Sequence, residues 1–331
     1  MTNATAAPAS ATQDAGGKVT IAKTLVVLGA LAPIALPISA GAALLLGAAI
    51  GLSLGNPWAK RTPGLAHRLL SASVVALGAG MNLRVVARVG LSGLGYTAAG
   101  ISIALLLGNL LGRRLGVARD TSLLLSVGTA ICGGSAIAAV APVIGAKARD
   151  VSAAIVVVFL LNAVALFAFP AIGHALHLGQ HPFGLWAALA IHDTSSVVGA
   201  AASYGREALD VATAAKLARA LWIVPVTLAV SALRTRREPS VGQAKTKRPW
   251  FIAAFVLAAA IVTYVPALQP AGHLVASGAQ RALAVTLFLV GLGLSRDGLR
   301  ELGVRAFVQA LTLWVVLASA SLAAIELGVI R

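Results

Sequence analysis

The chain has 331 residues, 59% of them hydrophobic and only 11% charged, where a soluble domain carries about 25% charged residues. With 34 glycines to let helices approach closely, this composition excludes an ordinary soluble domain and points to an all-α polytopic membrane protein. The net charge of +16 does not imply a nucleic-acid partner, because Lys and Arg fall between apolar runs rather than in one stripe.

Residues 1–23 read as a disordered cytoplasmic tail, Ala/Thr/Ser-rich and ending in Lys18 and Lys23. Residues 24–331 read as a single transmembrane domain. The first apolar run, from Thr24 to about Ile38, ends near small residues that suit a cleavage site. Another apolar run follows at once, so a first membrane helix is expected instead. Later spans are expected at 40–55, 66–82, 93–111, 121–145, 150–172, 183–203, 211–233, 250–267, 277–295 and 303–327. That gives about eleven, each near the ~20 residues that cross a bilayer. Positively charged residues concentrate in alternate connections, including the basic loop 234–249. This bias predicts a cytoplasmic N-terminus and an external C-terminus.

The span 121–145 contains Thr129, Cys132, Gly133, Gly134 and Ser135 in its middle. Adjacent glycines weaken a helix by roughly 1 kcal/mol each, so a break is expected there. The half-helix restarting near Ser135 would offer free N–H groups to an anion. The span 183–203 carries His192, Asp193, Thr194, Ser195 and Ser196 about ten residues in. A charge at that depth costs roughly 2.5–3.5 kcal/mol on insertion scales, which favours a functional role. The next span holds Lys216 and Arg219. Either both snorkel to the interface, or they neutralise an anion or pair with Asp193. Asn162, between the two interruptions, is a further candidate, with packing an equal alternative.

Three histidines, His174, His177 and His181, lack acidic or cysteine neighbours, and no metal is expected on them. The single cysteine, Cys132, leaves no internal disulfide and no cysteine-based cluster. No cofactor is expected. Residues 77–82 and 290–295 are similar at an offset of 213, one Gly-rich span end echoing another. Seven spans apart, the two would lie in opposite orientations, the parity of an inverted-repeat transporter.

The segments Gly128–Ser135 with Ala141-Pro142, His192-Asp193, and Lys216–Trp222 leading to Pro225 make the chain resemble the YeiH family, labelled as sulfate exporters of bacterial inner membranes. The resemblance runs from about residue 24 to 331. More remotely, Gly80-Met81-Asn82-Leu83 followed by Cys132-Gly133-Gly134 is similar to bile-acid/sodium symporters and, through them, to cation/proton antiporters. It implies a panel domain, a core domain and discontinuous helices crossing at the substrate site. Family members carry a carboxylate after the His, here Asp193. The hydroxyl-rich Thr194-Ser195-Ser196 departs from relatives.

The expected function is therefore export of a small inorganic oxyanion, sulfate or sulfite, with a proton or sodium ion as candidate coupling ion and lipid as the surrounding partner. Ser135 and nearby N–H groups would hold the anion, Lys216 or Arg219 would balance it, and His192–Asp193 would couple to protons. A sodium- or proton-coupled organic-anion carrier, a cation/proton antiporter and a sensor without flux are the alternatives. Enzymatic activity is not expected: His192, Asp193 and Ser195 are near neighbours on one helix and point to different faces, unlike a hydrolase triad.

Overall fold

The computed structural model describes residues 9–36, 38–235, 250–296 and 303–330. The described residues are helical, with no strand among them. The helices are α1 (Ala9–Ala35), α2 (Ala40–Ser53), α3 (Thr62–Gly78), α4 (Leu83–Ser92), α5 (Leu94–Leu115), α6 (Arg119–Ala130), α7 (Gly134–Ile144) and α8 (Ala148–Ala175). There follow α9 (Gln180–Ala190), α10 (Thr194–Tyr204), α11 (Arg206–Ala220), α12 (Ile223–Thr235), α13 (Trp250–Tyr264), α14 (Gln269–Leu292) and α15 (Val304–Glu326). By length and composition, five helical stretches can cross a membrane: Leu94–Leu115, Arg149–Ala175, Arg206–Leu233, Pro266–Leu292 and Val304–Glu326. Shorter apolar helices accompany them at Thr20–Ala35, Ala40–Ser53, Gly134–Ile144 and Trp250–Tyr264.

Two expectations change. Helix α1 begins at Ala9, so part of the segment read as a disordered tail is helical. Its alanines are good helix formers, and they extend the apolar helix backwards. Residues 83–92, read as a basic connection, form α4. Val86 and Val89 are buried while Arg84 and Arg88 are exposed, the spacing of an amphipathic helix. Asn82 caps it by accepting the Arg84 N–H at 2.9 Å. The basic loop 234–249 lies outside the described residues from 236 onward.

The helices fall into two groups. Helices α1, α2, α3, α13 and α14 pack together, and α5 to α12 pack together with α15, which lies against α5, α6, α8 and α9. The groups meet where α10 lies against α14 and α2 and where α8 lies against α2, and α4 bridges them by packing on α11 and α13. In the first group, glycines bring backbones into contact. A Cβ on Gly47 of α2 would stand 2.0 Å from the Phe288 carbonyl oxygen of α14. One on Gly291 would stand 2.2 Å from that of Leu44. Neither position accepts even Ala without moving a helix. In the second group, Gly108 and Gly112 of α5 admit Ser126 and Ser122 of α6. Gln309 of α15 donates there to Gly108 O at 2.9 Å and Ser122 Oγ at 2.8 Å.

Candidate functional site

Both interrupted spans are broken helices. Helix α6 has 12 residues and α7 has 11, so each rises about 17–18 Å, roughly half of the ~30 Å hydrocarbon core. The 11-residue α9 and α10 divide their span in the same way. The breaks therefore fall near mid-depth.

The first break is made by a glycine. Gly133 adopts φ 64°, ψ −127°, a conformation that only glycine enters without strain. Its N–H reaches back to Gly128 O at 2.8 Å. The second break needs no glycine. Ile191 and Asp193 are extended, and Asp193 caps α10. Its carboxylate accepts the Ser195 N–H at 3.0 Å and also the Ser195 hydroxyl. From α8, Asn162 Oδ1 accepts the N–H groups of both His192 and Asp193 at 3.1 Å. The breaks touch: a Cβ on Gly133 would lie 3.4 Å from the Asp193 nitrogen.

Broken helices leave carbonyls without partners, and in hydrocarbon each costs several kcal/mol. Lys216 and Arg219 supply the missing donors. Lys216 Nζ donates to Ile191 O at 2.6 Å and Ala188 O at 3.3 Å. Arg219 donates from Nε to Ala130 O at 2.7 Å and from Nη2 to Thr129 O at 3.3 Å. Its Nη1 donates to Leu189 O and, at 3.3 Å, to Ala188 O. The remaining end carbonyl of α9, Ala190 O, accepts the Trp314 indole N–H at 3.0 Å. Arg219 thus joins the C-terminal ends of α6 and α9, where the helix dipoles are negative. Lys216 is fully buried and Arg219 is 4% exposed, so neither snorkels. Neither forms an ion pair with Asp193; both spend their donors on carbonyls.

The N-terminal ends are treated differently. Helix α10 is capped by Asp193, but α7 has no side-chain cap. The N–H groups of Gly134 and Ser135 have no protein acceptor among the described residues. The Ser135 hydroxyl is half-buried and also unpartnered. Cys132 is buried within the break, and Thr194 and Ser196 are buried in the first turn of α10. His192 is 1% exposed, and neither ring nitrogen has a partner. Its ring centre lies 6.1 Å from that of Trp314. The Thr129 hydroxyl is likewise buried and unpartnered.

Trp314 belongs to the site and lies outside the sequence expectations. A tryptophan mid-way along an apolar helix is a signal, since a buried indole N–H seeks an acceptor. His174 of α8, His181 of α9 and His177 between them do not gather at this site; His174 stacks on Tyr204 with ring centres 4.3 Å apart.

Fold and site together define an all-helical membrane protein with two broken helices meeting at a buried cationic hub. The family described as conserved hypothetical protein 698 matches residues 18–310, and the chain belongs to that family. It is 56% identical to a UPF0324 membrane protein of Bdellovibrio bacteriovorus, over 88% of this chain and 90% of the relative. It is 46% identical to a UPF0324 membrane protein of Geobacter sulfurreducens, over 86% of this chain and 90% of the relative. A UPF0324 membrane protein of Bacteroides thetaiotaomicron is 48% identical, over 85% and 84% respectively. No solved structure matches the chain.

Proposed function

We propose that this protein is a secondary transporter that moves a small inorganic oxyanion, sulfate or sulfite, out of the cell without chemical conversion. The observation that carries the reading is the contact between the two breaks, with an uncapped half-helix N-terminus beside two buried cations. Charge counting supports an anion. Two half-helix C-termini, each roughly −0.5, offset two N-termini of roughly +0.5. Two basic groups, Lys216 and Arg219, stand against one buried carboxylate, Asp193, so an anion is the better-matched guest. Gly134 and Ser135 N–H groups and the Ser135 hydroxyl are the free donors for it. The choice of sulfate or sulfite and of outward direction follows the label of the YeiH family.

The same contacts weigh against sodium coupling at this point. The carbonyls at the half-helix ends, which in other broken-helix carriers could coordinate a cation, accept from Lys216 and Arg219 here. That leaves a proton as the coupling ion in this reading, with His192–Asp193 as the titratable pair at the break.

An inverted repeat of eleven spans, N-terminus inside an inner membrane and C-terminus outside, completes the proposal. Reciprocal contacts support it. Gly78 of α3 meets the Phe255 carbonyl of α13, while Gly291 of α14 meets the Leu44 carbonyl of α2. Exchanging α2 with α13 and α3 with α14 turns one contact into the other. The group holding the breaks would then move against the α1–α3, α13, α14 group.

The test is counterflow in proteoliposomes with sulfate, sulfite, thiosulfate, taurine and chloride. Accumulation of sulfate or sulfite in exchange for unlabelled anion is the expected result. Binding of these anions without flux would make the protein a sensor and refute the transporter reading.

A further inference from the structure

The seam between the two helix groups is apolar where α10 crosses α14 and α2. Across it, a Cβ on Gly199 would meet Leu287 Cδ1 at 3.1 Å and Ala40 Cβ at 3.3 Å. Dispersion contacts of this kind are individually weak. Beyond the end of α10 the groups are tied by a polar contact instead. Arg206, the first residue of α11, donates to Nδ1 of His273 on α14 at 2.8 Å. Both side chains are exposed, and both line a cavity of about 270 Å³ between the groups. In the proposed topology the connections 203–211 and 267–277 are external, so the tie lies at the outer end of the seam.

The chemistry of this bond makes it conditional. A guanidinium has only donors. The bond therefore exists only while Nδ1 of His273 is an acceptor, in a neutral ring with its proton on Nε2. Protonation turns Nδ1 into a donor and sets two cations against each other. Imidazoles make that change between about pH 5 and pH 8.

Arg206 has another partner within reach. Asp210 lines the same cavity, one turn further along the same face of α11. Glu207 is exposed beside Arg206. The two carboxylates balance Arg206 and a second positive charge on His273, so the protonated cluster is neutral. Among the described residues the cavity wall holds no further charge; the end of α3 and the turn after it contribute Leu77, Gly80 and Met81. Arg281, two turns along α14, is committed to the Ile34 carbonyl.

We propose that the Arg206–His273 hydrogen bond is a pH-operated latch between the two helix groups, closed while the His273 ring is neutral and released when that ring takes up a proton and Arg206 turns to Asp210. The switch exchanges a bond between groups for a pair within α11. The apolar seam then has no polar tie at its outer end. That release frees the movement of one group against the other rests on the transporter reading; the latch itself does not.

Spin labels on Ser203→Cys, near the end of α10, and Leu274→Cys, beside His273, read the distance between the groups by pulsed electron paramagnetic resonance in proteoliposomes. Both positions are exposed, and the buried Cys132 stays in place, with the chain lacking added cysteines as background. At about pH 8 one short distance is expected; at about pH 5 most of the distribution should move to a longer one. His273→Gln offers Arg206 an acceptor that does not titrate, and should stay short at both pH values. His273→Lys, permanently charged, should be long at both, and Arg206→Ala, which removes the donor, should match it. A distribution indifferent to pH, or an acid shift that persists in His273→Gln, overturns the latch. Sulfate counterflow by the unmodified protein is measured separately. Flux with a pH-blind distance sinks the latch alone, and a pH-dependent distance without flux upholds it while sinking the transporter reading.

Discussion

Removing the Arg219 guanidinium tests the central physical claim, that this side chain holds the two breaks together. Three carbonyls, Thr129 O, Ala130 O and Leu189 O, receive their side-chain donor from Arg219 alone, whereas Ala188 O also has Lys216. A buried acceptor left without a partner costs about 1–3 kcal/mol. Arg219→Ala should therefore destabilise the protein by about 3–9 kcal/mol before any water enters to compensate. Arg219→Lys keeps the charge but loses the planar fork that reaches both helix ends, and should recover only part of the loss. SDS-titrated unfolding in mixed micelles, followed by far-UV circular dichroism, gives the stability of each variant. Counterflow on the fraction that folds gives function. If Arg219→Ala unfolds at the same SDS fraction as the unmodified protein and carries sulfate equally well, the hub is dispensable and the argument fails.

Three further outcomes follow from the same geometry. Asp193→Asn should retain α10, since Asn caps as well as Asp, while Asp193→Ala should cost about 0.5–2 kcal/mol; equal flux in the unmodified protein and the Asn variant would remove the carboxylate charge from the mechanism. Gly133→Ala forces a side chain into a left-handed conformation costing about 1–3 kcal/mol and should lower both stability and counterflow; normal values for both would mean the break does not depend on that conformation. Gly47→Leu sets a branched side chain against the Phe288 carbonyl and should reduce the amount of folded protein recovered by gel filtration, with undiminished recovery contradicting the backbone contact between α2 and α14.

Much of this was legible in the chain. The two breaks fall where Cys132-Gly133-Gly134 and His192-Asp193 interrupt apolar runs, because polarity and paired glycines at mid-span conflict with a continuous helix. Asn162 was visible as a candidate, and it does hold the second break. The partners of Lys216 and Arg219 were not visible. A cation in an apolar run announces that something negative is near, but the carbonyl of a broken helix leaves no mark in the sequence. Asp193 is the carboxylate that the interrupted span offers as a partner, and the structure gives it to the N-terminus of α10 instead. Helix α4 was missed for a related reason: at ten residues its amphipathic pattern is brief, and its arginines resemble a topology signal.

Asn162 carries a consequence beyond its two hydrogen bonds. It stands on α8, an uninterrupted helix of 28 residues, and its one oxygen takes up consecutive backbone N–H groups that a regular helix would have used elsewhere. A straight neighbour thus acts as a template for the kinked one, and the opening at His192–Asp193 is set when the protein folds. A solute arriving there has no helix to melt, so its encounter with the protein is free of that ordering cost and can be weak, fast and reversible.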